Sequence, residues 1–129
     1  MTMKEEENRL RPPAAERLAA DEECFDLPVL AEELREEDHS AVRGHRQMTI
    51  FKKGPVTMVL FAFDADSELK EHAANGIVTI QCVAGSLMVG TAQDEYELHA
   101  GQVVALAPKI RHNVKALKRS TMLLTVHRA

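Results

Sequence analysis

Two histidines, His72 and His112, stand out in a stretch otherwise rich in Val, Ile, Leu and Ala. A neutral imidazole can ligate a divalent transition metal, and near its ordinary pKa of about 6.5 it can act as a general acid or base. In His112-Asn113-Val114-Lys115-Ala116, strand alternation puts His112 on the face of Val114 and Ala116, so its ring is expected to point inward. The same rule turns Val78, Ile80 and Cys82 inward and Thr79 and Gln81 outward. If His72 and His112 converge, they form a two-imidazole site that waters, Cys82 or a substrate could complete. Equally, each could be a partly buried ring bonded to backbone.

The remaining candidates are weaker. Cys82 would be a nucleophile only with a lowered pKa, and no cation neighbours it in sequence, so the role of a small core hydrophobe is favoured. Met48, Met58, Met88 and Met122 could line a soft pocket or fill the core. Lys109 and Arg111, beside His112 in a loop, could attract an anion or be ordinary surface charge. Solvated rings are expected for His39, His45 and His99, and no role is assigned to His127. The ligand-binding candidates are therefore His72, His112, Cys82, Arg111 and Met88, with His72 and His112 the metal candidates. No Gly-rich phosphate loop, Ser nucleophile elbow or Cys-x-x-Cys pair is present.

These residues need a scaffold. The charged segment over residues 1–25, with Pro12-Pro13, reads as a flexible arm. Residues 26–45 read as an amphipathic helix and a connection: Leu27, Leu30, Ala31 and Leu34 share a face, Pro28 suits the first turn, and Glu32, Glu33, Arg35, Glu36 and Glu37 face water. From residue 46 to 129 the pattern changes to short apolar and β-branched runs broken by turn residues. Strands are expected at Met48–Lys52, Val56–Phe63, Ile77–Val83, Leu87–Ala92, Tyr96–Leu98, Val103–Ala107, His112–Leu117 and Thr121–His127. Many short strands with no helix between them indicate an all-β sandwich or barrel.

Bulk composition narrows the partners. The 129 residues, 45% of them hydrophobic, suffice for one core. A net charge of -4 argues against nucleic acid and anionic membrane, and an aromatic content of 4% argues against a stacking platform. Without a membrane-length apolar run or signal-peptide core, the chain is expected to be cytoplasmic, with Cys24 and Cys82 free.

Residues 48–126 resemble the cupin conserved barrel. The first cupin motif, built on His-x-His followed by Glu and then Gly, corresponds to Glu71 through Gly85; the second, a Gly, an apolar run, a Pro turn and a His, corresponds to Gly101 through Val114. The resemblance implies a jelly roll (double-stranded β-helix) whose ordinary members hold iron, manganese, nickel or zinc with three His and one Glu. Here Ala74 falls at the second His position and Val78 at the Glu position, so His72 and His112 alone match ligand positions. Short bacterial cupins with His-x-Ala show the same departure. The expectation is a binding or accessory domain for a small molecule held in the barrel, with no cofactor beyond a weakly bound divalent metal. The alternative is a metal-dependent dioxygenase or isomerase using His72 and His112. Short cupins commonly pair, and the outward Thr79 and Gln81 suggest a face for a homodimer.

Overall fold

The computed structural model describes residues 20–37 and 44–129; most of the expected arm, together with His39, lies outside the described residues. Residues 20–25 form no regular element and rest on the barrel, with Lys53 paired to Asp21 and the Phe25 ring edge-on to Phe51.

The helix α1 (Leu27–Arg35) starts where expected. Asp26 caps it, its carboxylate accepting the Val29 N–H at 3.2 Å, and Pro28 occupies the first turn. Ala31 and Leu34 are buried against Met48, Ile50, Leu60, Ala62 and Leu123. Two residues expected to face water do not. Glu37 is only 8% exposed. Arg35 is half-buried, its guanidinium donating to Ser120 O at 2.7 Å and Thr121 Oγ1 at 3.3 Å. The amphipathic pattern missed this because a long side chain can lay its stem on apolar surface and send its head to a distant carbonyl.

The strands are β1 (His45–Lys53), β2 (Val56–Phe63), β3 (Glu68–His72), β4 (Gly76–Ala84), β5 (Ser86–Thr91), β6 (Glu95–His99), β7 (Val103–Leu106), β8 (His112–Ala116) and β9 (Ser120–Arg128). They make two antiparallel sheets, β1-β2-β9-β4-β7 and β3-β8-β5-β6, facing each other as an all-β jelly roll. The main core lies between them, including Phe61, Phe63, Val78, Ile80, Leu87, Val89, Val114 and Met122, while α1 covers a second core on the outer face of β1, β2 and β9. Along β4, Val78, Ile80 and Cys82 are buried and Thr79 and Gln81 partly exposed, as alternation requires.

The β4–β5 reversal depends on Gly85. Its φ of +89° lies in the left-handed region, and a Cβ there would sit 2.3 Å from Ser120 Oγ and 2.5 Å from Arg119 O. The strand that escaped sequence reading is β3. Glu68-Leu69-Lys70-Glu71-His72 contains one apolar residue, as befits a short charged strand at a sheet edge.

Candidate functional site

β3 carries His72 at its end and β8 opens with His112. The two are partners across this antiparallel pair, after a register shift between Leu69 and His72, and His112 also pairs with Thr91 on β5. Because Val114 and Ala116 point into the barrel, His112 does too, and it is 1% exposed. The His72 ring, half-buried, rests on it with centroids 4.2 Å apart and planes at 61°.

Backbone carbonyls fix both tautomers. His72 Nδ1 lies 2.9 Å from Lys70 O and His112 Nδ1 lies 3.0 Å from Ile110 O. A carbonyl only accepts, so each Nδ1 must donate, and in the neutral ring each Nε2 is left with a bare lone pair. His112 Nε2 is buried and has no hydrogen-bond partner. Burial pushes the His112 pKa down, with a smaller push from charge on His72, and the bond to Ile110 O opposes both. His112 is therefore a neutral acceptor at neutral pH.

The loop between β7 and β8 closes over this end. Lys109, in a left-handed conformation at φ 69°, donates its N–H to Ala74 O at 2.9 Å, tying the loop to the β3–β4 connection. On the solvent side, Arg111 is paired with Glu71. Both are exposed, so the pair is worth at most about 1 kcal/mol. It does, however, offset the charge on Arg111, one of the two cations expected to draw an anion; the other, Lys109, is exposed.

Two other candidates lie elsewhere. Cys82 sits two residues before the β4 end, next to the Gly85 turn, while His112 is level with Thr91 at the far end of β5. The two therefore lie toward opposite ends of the barrel. Cys82 is fully buried, its thiol pushed up in pKa by that burial, so it is part of the core and not of the histidine site. Met88 faces outward: its cross-strand partners are Glu97 and Lys115, whereas Leu87 and Val89 on either side are buried. Of the other expected pocket methionines, Met122 belongs to the main core and Met48 and Met58 to the core under α1.

Among the remaining histidines, His45 departs from expectation. It is buried, its ring centroid 5.8 Å from Phe61 and 5.7 Å from Phe63. The polar sequence before it hid the start of β1. His99 and His127 are exposed, with His99 Nε2 3.0 Å from Glu97. Sequence reading missed Glu71 as the partner of Arg111, because the charged run Glu68–His72 gives no strand signal and the register shift after Leu69 breaks the alternation.

A tightly held divalent metal does not fit these residues. Val78 lies in the apolar core and Ala74 packs against it, so these two positions bring no carboxylate or third imidazole to the pair. Among the described residues, no group of three or more His, Cys, Asp or Glu side chains could hold a metal ion. Two neutral rings alone supply no negative charge to offset a cation.

No protein-family model matches the chain, and no curated protein does either. Solved structures match in number, 427 chains in all. A cupin superfamily protein from Desulfitobacterium hafniense aligns with TM-score 0.69 at 15% identity, covering 88% of this chain and 96% of its own. A conserved protein of unknown function from Streptococcus pyogenes aligns with TM-score 0.67 at 19% identity, covering 85% and 90%. An HTH_3 family transcriptional regulator from Vibrio cholerae aligns with TM-score 0.60 at 13% identity, covering 67% of this chain and 52% of its own. Among the described residues, no helix is long and apolar enough to cross a membrane.

Proposed function

Since this chain has the fold of a small cupin domain, we propose that it binds a small molecule at the barrel end capped by His72 and His112, without a tightly held metal. One observation carries this reading: His112 Nε2 is a buried polar atom with no partner. Leaving such a group unmet costs about 1–3 kcal/mol, a cost a bound ligand would remove. That a transcriptional regulator contains this fold in about half its length supports a binding role, since a barrel can serve beside a domain that acts.

The experiment is a fragment screen followed through the Hε1 resonances of the histidines. Hits should move His72 and His112 together and leave the exposed His99 and His127 in place. Hits that cluster elsewhere and never move this pair would remove the reading.

Two further parts of the proposal concern surroundings. The outer face of β4 and β7, which no described element covers, shows Ile77 at 50% and Val103 at 58% exposure, beside Thr79, Gln81 and Ala105, with no charged side chain among them. Such a face can meet its own copy without like-charge repulsion, so we propose a two-fold homodimer through it. The free thiols of Cys24 and Cys82 support a reducing, cytoplasmic setting.

A further inference from the structure

We infer that the ligand of the histidine pair is a hydrogen-bond donor, a neutral or cationic compound presenting O–H or N–H, and that carboxylates and phosphates are excluded. This rests on the proposed function and names the chemical class that the same site takes.

Anions bind where donors converge. Here the donors are spent: both ring N–H groups go to carbonyls, His72 to Lys70 O and His112 to Ile110 O. The remaining cations, Arg111, which gives only its Nε–H to Glu71, and Lys109, are exposed on the solvent side and offer no donor to the buried Nε2. What remains at the pair is two Nε2 lone pairs, and an anionic oxygen brought to them meets repulsion instead of a bond. An O–H or N–H group meets an acceptor that nothing else satisfies. Of the two lone pairs the His112 one decides the matter, because it is buried without a partner, whereas the His72 ring is part-exposed.

Access requires movement. His112 Nε2 is sealed from solvent and the His72 ring rests on its neighbour at 4.2 Å, so the His72 side chain must swing aside when a donor enters. His72 is suited to this, since it ends an edge strand and is anchored through a single bond to Lys70 O. It thus serves as both a second acceptor and a cover.

The test uses protein with 15N-labelled histidine at pH 7.5 and three matched probes: phenol, its methyl ether anisole, and benzoate. The free protein should show both rings as the Nδ1–H tautomer. Phenol should shift Nε2 of His72 and His112, with affinity roughly tenfold or more above that of anisole or benzoate, as expected for meeting a buried orphan acceptor. An Nε2–H tautomer on His112 would overturn the donor inference and leave the proposed function standing. Benzoate or anisole equalling phenol at these rings would do the same. Silence of both rings toward all three probes would overturn the inference and the proposed function together.

Discussion

His72 and His112 face each other across the β3–β8 pair, and each gives its Nδ1 proton to the carbonyl two residues earlier in its own chain, Lys70 and Ile110. This repeated local bond makes the site an acceptor pair. It also sets how the site responds to pH.

Because burial lowers the folded-state pKa of His112 below its unfolded value, the unfolded chain takes up a proton first as pH falls. Stability linked to this group is present above about pH 6.5 and is lost as pH drops from there toward the folded pKa. Urea unfolding should show a lower midpoint at pH 5.5 than at pH 7.5. In His112→Gln that difference should shrink; an unchanged difference would assign the pH response to other groups.

Arg35 secures α1 to the barrel through Ser120 O and Thr121 Oγ1. In Arg35→Met, which keeps most of the apolar stem, the lost bonds should cost about 1–3 kcal/mol in urea unfolding. A cost below about 0.5 kcal/mol would mark the contact as incidental.

Gly85→Ala should destabilise the barrel by about 1–3 kcal/mol or more, since it adds a left-handed strain to a Cβ driven into Ser120 and Arg119. Gly54→Ala, also at positive φ but with open space around it, should cost less. Equal costs would show that backbone conformation alone matters.

Val103→Glu places a charge on the uncovered face of β7. Sedimentation should show a dimer for the natural chain and a monomer for the variant, with unchanged strand content. A natural chain that sediments as a monomer would refute the proposed pairing.

The barrel and the helix were legible because their signals are periodic. Eight of the nine strands among the described residues announce themselves by apolar alternation between turns, and α1 by Asp26, Pro28 and the Leu27, Leu30, Leu34 face. The inward turn of His112 followed from Val114 and Ala116. β3 was not legible, because an edge strand needs few apolar residues; the convergence of His72 and His112, expected from the cupin resemblance, is met through the β3–β8 pairing that the residues alone did not announce. Alternation turns Cys82 inward and it is a core residue, but its level, toward the Gly85 end of the barrel, is not carried by a local pattern; Met88 was named for its soft side chain, and its face is the outer one. Arg35 and His45 were judged by their neighbours in sequence, whereas distant strands decide their burial.

The central claim is that this histidine pair receives a small ligand and not a tightly held metal. The most direct measurement is the metal content of protein purified without chelator, compared with His72→Ala and His112→Ala. Iron, manganese, nickel and zinc should total far less than one equivalent in all three proteins. Near-stoichiometric metal in the natural chain, absent from both variants, would contradict the account.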